Sequence, residues 1–504
     1  MSNVPPPAFD PRFGRSPEET AATDPLAPPI SYHLTGRRSA AQSRTLFLSA
    51  LWAVILGSIY LGFKAKVDDV LHLYLGLIII ALSMMPALLW LKNGGSRFPV
   101  FEPLLALCAP SYGLPLLNGH EQLVTYPADT ITLAGIAIVA YQLSAILLYY
   151  SVKGLPGRGS FWTESVLSTK VERLIFYGIV LSTSYMAVAG FTDWIPYELG
   201  SVLRAIFNGI SILCTFITAQ RWGRDDLTQS EKWIFGSMLL LQMIIMSSSL
   251  LLIYAITLCG IGLLGFLSAG RQLPWIAVLS IFVCFAVLHN GKTRMREIYW
   301  EGDNRAMPTV GNLSSFFGEW IEYGLQNPLR EKDEKASSVG NRLLERTSLM
   351  HILCMIVEFT PDKQPYLYGE TYGYVLPQLI PRFFWQDKPR SHVATYRLSI
   401  YYGLQEEEAT QKTTIAFGLP AEAYANFGIL GMIMLGATFG FILKKLQVLS
   451  AHSPMFSLAG LMMVLLTAWS FNTELTMAAW VSSFYQAVIV ALGLPLILRG
   501  LLGV

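Results

Sequence analysis

The segment PYLYGETYGYVLPQLIPRFFWQDKPRSHVATYR (365–397) sets Arg382, Lys388, Arg390, His392 and Arg397 among Tyr, Phe and Trp rings. Guanidinium forks match phosphate oxygens two at a time, and lysine adds a point charge. Aromatic faces suit sugar rings. The same mixture also gathers where a protein meets a membrane surface, so interfacial anchoring competes with ligand binding. A second segment, TTIAFGLPAEAYANFGILG (413–431), carries Glu422 with Tyr424 and Asn426 alongside. A carboxylate at the mouth of an apolar bundle is a candidate general base, because a carboxyl removed from water holds its proton more tightly. The alternative is a helix-start carboxylate favoured by the helix dipole. His392 is a candidate base of its own, although a lone loop histidine is more often a surface residue.

Composition fixes what must hold these segments. Of 504 residues, 53% are hydrophobic and only 14% charged, and the mean hydropathy is +0.45. A water-soluble globule carries roughly 25% charged residues. The missing polar surface must be replaced by one that faces lipid. The net charge of +2 offers no basic excess for a nucleic-acid partner. Cys108, Cys214, Cys259 and Cys284 lie in apolar runs and Cys354 falls alone in the long loop, without a cysteine partner there, so no disulfide framework is expected. No Cys or His spacing suggests a metal, and no cofactor is implied.

Residues 1–44 hold eight prolines in their first thirty positions and read as a disordered tail, not a signal peptide. Twelve apolar segments follow, each near the ~20 residues a span needs: 45–63, 71–91, 98–117, 129–151, 173–192, 199–220, 232–247, 250–269, 273–290, 427–443, 455–473 and 477–499. The run 232–269 is too long for one ordinary helix and divides at Ser247, Ser248 and Ser249. The excess of Lys and Arg on cytoplasmic segments supports that division and places both termini inside. The expected fold is therefore an all-α polytopic membrane protein of about twelve transmembrane helices. Helices 1–9 occupy 45–290, one large external loop occupies 291–425, and helices 10–12 occupy 426–504. The loop is close to neutral, with fifteen Lys or Arg against seventeen Asp or Glu. Its apolar run 349–357 is too short to cross. It either lies in the interface as an amphipathic helix or packs on the membrane domain. Ionisable groups near span ends are Glu102, Arg204 and Glu474, for which reaching the interface is the ordinary explanation.

The run LIPRFFWQDKPR (379–390), followed by AEAYANFGILG (421–431), resembles the Wzy-type polymerases of O-antigen and other oligosaccharide repeat units. The similarity in motif lies within 341–431, and the layout of spans and loop is shared. The resemblance implies a GT-C-like glycosyltransferase of the bacterial inner membrane with its loop in the periplasm. Such an enzyme transfers a growing chain from undecaprenyl pyrophosphate to an incoming lipid-linked repeat unit. A flippase and a chain-length regulator of the same pathway would be its partners, beside membrane lipid. Arg382, Lys388 and Arg390 match the family's basic positions, and Glu422, Asn426 and Gly428 its glutamate-to-glycine stretch. These cations would neutralise the leaving pyrophosphate without a metal. Glu422 would take the acceptor proton, with Glu370 as substitute, while Arg342 and Arg346 would serve the second lipid's pyrophosphate. Relatives often carry a Gly-Arg element before the large loop. Here that place reads MSSSLLL (246–252), so the cation must come from elsewhere, such as Arg204 or Arg294.

Two other functions share parts of this layout. An O-antigen ligase, which moves the same donor glycan onto lipid A core, has the same spans and loop but a different acceptor. A transporter or flippase of lipid-linked sugars would be expected to show internal repeats and broken helices, and the sequence shows no repeat between its halves.

Overall fold

The computed structural model describes residues 40–67, 69–94, 98–153, 169–192, 194–195, 197–269, 271, 273–301, 308–330, 348–380, 384–410, 414–450, 453 and 457–502. Long apolar stretches with few Gly or Pro interruptions satisfy their backbone only as helices when water is absent. Helices accordingly form on all twelve expected segments. They are α1 (Ala40–Lys64), α2 (Val70–Lys92), α3 (Phe101–Leu117), α4 (Ala128–Ser151), α5 (Thr169–Phe191), α6 (Tyr197–Gly223), α7 (Gln229–Ser248), α8 (Leu252–Ser268) and α9 (Trp275–Arg296). After them come α10 (Leu313–Arg330), α11 (Met350–Phe359), α12 (Val393–Tyr401), α13 (Leu419–Leu449), α14 (Leu458–Trp469) and α15 (Met477–Leu502). Among the described residues, five helices are long and apolar enough to cross a membrane, namely Ser43–Lys64, Val70–Lys92, Ala128–Ser151, Trp275–Tyr299 and Leu419–Leu449. The described residues form a helical architecture compatible with a multi-pass membrane protein.

The division at the serines is real. Ser249 caps α7, and Leu250 turns the chain at φ 58° before α8 begins. The third segment departs from a plain helix. Pro110 opens a π-helical turn at Ala109–Gly113, between two short α-helical pieces. Helix α9 also runs past the expected end of its span to Arg296, so Arg294 sits on its last turn and not in a loop.

The tightest seam joins α13 to α4. A Cβ on Gly436 or Gly440 would stand 2.2 Å from the carbonyl of Tyr141 or Ala145. The i, i+4 glycine pair thus lets two backbones touch, which is how helices associate where lipid removes the hydrophobic incentive. Polar side chains add cross-links. Gln142 on α4 donates to Ile79 O and Ser83 Oγ on α2, while Gln242 on α7 donates to Ile179 O and Thr183 Oγ1 on α5. The two clasps lie one hundred residues apart and repeat the same spacing, a short internal correspondence that the sequence reading did not register.

Helix α11 settles one alternative. Met350, Leu353, Cys354 and Ile356 are fully buried, and the helix packs on α4 and α13. Too short to cross and apolar on nearly every face, it fills the core instead of floating in the interface. The α9–α10 hairpin behaves differently. Close glycine contacts at Gly291 and Gly324 and the Trp320 Nε1 bond to Leu288 O (2.6 Å) tie it to itself. Its small core touches the rest through Leu250 and Leu252.

Candidate functional site

Helix α13 begins with an eight-residue arm, Leu419–Asn426, and then breaks. Phe427 and Gly428 leave helical geometry, with Gly428 at φ 61° and ψ −144°. A side chain at Gly428 would strike the Tyr366 hydroxyl at 2.7 Å, so glycine is required there twice over. The break leaves the last carbonyls of the arm without helical partners, and the strap 365–373 takes them. Leu367 N–H donates to Ala425 O (3.0 Å) and Tyr368 N–H to Asn426 O (3.1 Å). The Asn426 side chain completes the join. It accepts from Gly369 N–H (2.9 Å) and donates to Thr371 Oγ1 (2.7 Å) and Glu422 O (2.8 Å).

Beneath this strap lies Glu422, with no exposed surface. Its Oε2 accepts from Met477 N–H (2.6 Å), the first residue of α15, and the Thr371 hydroxyl stands against the same carboxyl. Tyr424 is buried beside it. As placed, Glu422 holds the start of α15 and the strap to the arm. Its other oxygen, Oε1, is buried without a hydrogen-bond partner among the described residues.

The turn 470–476 leads into α15 and has a second side. Its Thr473 and Glu474 carbonyls accept from Leu419 and Gly418 N–H, and Thr476 Oγ1 bonds Thr395 Oγ1 at 3.0 Å. The Glu474 side chain points the other way and is exposed. The helices around it nevertheless crowd it enough that desolvation raises its pKa, against the pull of Lys292. Tyr254 at the start of α8 feels both Glu474 and Arg204, and Arg204 also reaches Tyr185. One turn beyond Lys292 on α9, Arg296 donates to Leu250 O at 3.0 Å. Arg296, one helical turn from Lys292, is thus a cation in contact with the 246–252 stretch, a place for which Arg204 and Arg294 are the sequence-based candidates. Arg294 is exposed and paired with Glu297 at 2.9 Å. Arg204 is exposed, and Tyr254 lies within electrostatic reach of both it and Glu474.

The basic segment 379–390 is only partly described. Arg382, Arg342 and Arg346 lie outside the described residues. Lys388 is buried and donates to Gln378 O (3.3 Å) and Ile380 O (2.7 Å), while Gln378 Nε2 donates back to Pro389 O (3.3 Å). These bonds draw the two ends of the segment together and leave Phe384, Trp385 and Arg390 exposed. Lys388 thus shapes the loop, and Arg390 is its presented cation. His392 is half-buried, and burial lowers its pKa. Glu370 is held by Arg397 in a two-pronged pair, Nε–Oε1 at 2.6 Å and Nη2–Oε2 at 3.2 Å.

Residues 347–501 match the family model of the O-antigen polysaccharide polymerase Wzy. The matched stretch is Wzy-family sequence. No curated protein and no solved structure shows a detectable match. The Wzy segment spans α11 through α15, so it contains the strap, the Glu422 arm and the 470–476 turn together. It supports an O-antigen repeat-unit polymerase in general, a polymerase-type activity on lipid-linked oligosaccharides in a membrane.

The sequence does not single out Lys292 and Arg296, and it marks Glu474 only as an ionisable group near a span end. The first two fall just past an estimated span end, where charge is ordinary, and Glu474 was explained by its closeness to the interface. A signal was available: Lys292 and Arg296 stand four apart at the end of one apolar helix, hence on one face.

Proposed function

We propose that the protein polymerises undecaprenyl-pyrophosphate-linked repeat units into a surface polysaccharide, at the periplasmic face of a bacterial inner membrane. In this reading the twelve helices all cross, both termini are cytoplasmic, and 291–425 with the 470–476 turn faces the periplasm. The observation that carries it is the Wzy match over 347–501, which covers the strap, the Glu422 arm and the 470–476 turn.

The reaction forms a bond between an acceptor hydroxyl oxygen and the anomeric carbon of the donor glycan. The bond from that carbon to the lipid pyrophosphate breaks, and the lipid pyrophosphate leaves. Two tasks follow. Developing negative charge on the leaving oxygens is met by fixed cations, for which Arg204, Arg296 and Lys292 near helix ends and Arg390 and Arg382 on the basic loop are assigned. The acceptor proton goes to a carboxylate within hydrogen-bond reach. Glu474 is assigned that role because it is exposed and within electrostatic reach of Lys292. Glu422 and Asn426 position the turn and strap, Lys388 shapes the basic loop, and Glu370 is engaged with Arg397. Binding of both substrates is electrostatic in this scheme, and the residues named need no metal to perform it.

The test uses purified full-length protein in lipid nanodiscs with undecaprenyl-pyrophosphate-linked repeat units. Elongation without a gradient, lost in Glu474→Gln and in Arg204→Ala while the protein stays folded, supports the reading. Absence of elongation by wild type, with vectorial movement of the same lipid in sealed vesicles, would instead establish a transporter.

A further inference from the structure

Tyr368 is a bulky residue at φ 46°, in the left-handed region, followed by Gly369 at φ 92°. Large side chains avoid that region unless the surroundings impose it, and such positions concentrate at ligand clamps and active sites. Here the imposing groups are known. Asn426 takes both the Tyr368 and Gly369 N–H groups, through its carbonyl and its side chain. The result is a phenol ring 74% exposed, displayed by a turn anchored to a fully buried asparagine. Tyr366 stands beside it, with ring centroids 6.1 Å apart and planes at 74°, and Tyr401 is tied to the same strap, its hydroxyl donating to Pro365 O at 2.7 Å. The Arg397 guanidinium lies 5.0 Å from the Tyr401 ring centre and grips Glu370 two-pronged.

We infer that this shelf, Tyr368 with Tyr366, Tyr401 and the Glu370–Arg397 pair, is a subsite for the glycan, binding a pyranose ring distant from the lipid pyrophosphate. The identification of the ligand as a glycan rests on the polymerase reading above. A flat, rigid phenol offers apolar area at low entropic cost. Beside it, a carboxylate and a guanidinium provide acceptors and donors in one plane, the pattern that vicinal hydroxyls satisfy. A membrane surface is the other apolar-and-polar partner such rings serve. It fits less well, because Glu358, Asp362 and Glu370 outnumber Lys363 and Arg397 here, and anionic headgroups attract polybasic segments, not acidic ones. The strap also carries Thr371, which reaches Glu422, so a sugar seated on the shelf would be registered against the 470–476 turn.

The probe is the lipid-free oligosaccharide released by mild acid from the producing strain's own surface polysaccharide. Its binding to wild-type protein in nanodiscs is followed by saturation-transfer NMR. Tyr368→Ala is expected to weaken binding roughly tenfold, with Tyr368→Trp and Tyr368→Phe near wild type. Because the ring is exposed, these variants keep the fold. Unchanged affinity in Tyr368→Ala overturns the subsite. So does quenching of the Tyr368→Trp fluorescence by brominated lipid, which would place the ring in the membrane. A wild-type protein that elongates lipid-linked units yet binds no free glycan loses the subsite and keeps its activity. One that binds glycan through Tyr368 but elongates nothing keeps the subsite and loses the polymerase reading.

Discussion

Glu422 and Glu474 flank one short turn, and the turn treats them oppositely. On one side Glu422 is sealed beneath Thr371 and Asn426, with an oxygen committed to the first N–H of α15. On the other, Glu474 is exposed, within electrostatic reach of Lys292 and Tyr254. Residue type and closeness to a helix end are the same for both. Position relative to solvent separates them, and in the proposed function it makes Glu474 the carboxylate that a substrate hydroxyl reaches.

Substitutions can break this contrast or sharpen it. The largest effect is expected from Glu474→Gln, which should lower elongation about 10²–10⁴-fold if it removes the base, measured as turnover in nanodiscs. Arg204→Ala should follow, at about 10²–10³-fold, the range for loss of one preorganised charge-stabilising group. Neither should change the melting temperature much, since both side chains are exposed. On the sealed side the order reverses. Asn426→Ala strips partners from Gly369 N–H and Thr371 and should cost about 1–3 kcal/mol of stability, seen as a lower thermal midpoint with a smaller loss of rate. Tyr368 should also lose its ordered display in that variant.

The smallest effect concerns His392. Its folded-state pKa is depressed by burial, so the neutral ring is favoured in the fold. The stability this group contributes is complete above the ordinary histidine range. It is lost as pH falls through about 6.5 toward the folded pKa. His392→Gln should flatten that part of the stability profile, read by thermal scanning between pH 7.5 and 5.

Most of the scaffold was legible in the sequence because apolar length encodes a helix locally. Every expected segment is helical, and the break at Ser247–Ser249 could be read from three small polar residues in an otherwise apolar run. The π-helical turn at Ala109–Gly113 was not legible, since Pro110 marks a disturbance without saying which hydrogen-bond register results. The site was legible in type and neighbourhood but not in role. Lys388 reads as a phosphate ligand, and in the fold it donates to Gln378 and Ile380 carbonyls. Glu422 reads as a base, and in the fold its Oε2 accepts from Met477 N–H. Such roles depend on which backbone groups arrive beside a side chain from 55 residues away in the chain, and periodicity carries no information about that. Arg296 shows the same point from the other direction: its partner, Leu250, lies 46 residues earlier.

The pH dependence of single-turnover elongation measures the contrast most directly. With Glu474 as the acting carboxylate, the wild-type rate should rise with pH through a pKa above the ordinary carboxylate range, because the proton acceptor must be ionised and desolvation holds its pKa up. Glu474→Gln should remove that limb together with most of the rate, and Glu422→Gln should keep the limb while lowering thermal stability. A Glu474→Gln protein that elongates at the wild-type rate with an unchanged profile, beside a folded but inactive Glu422→Gln, would contradict the assignment of chemistry to the open side of the turn.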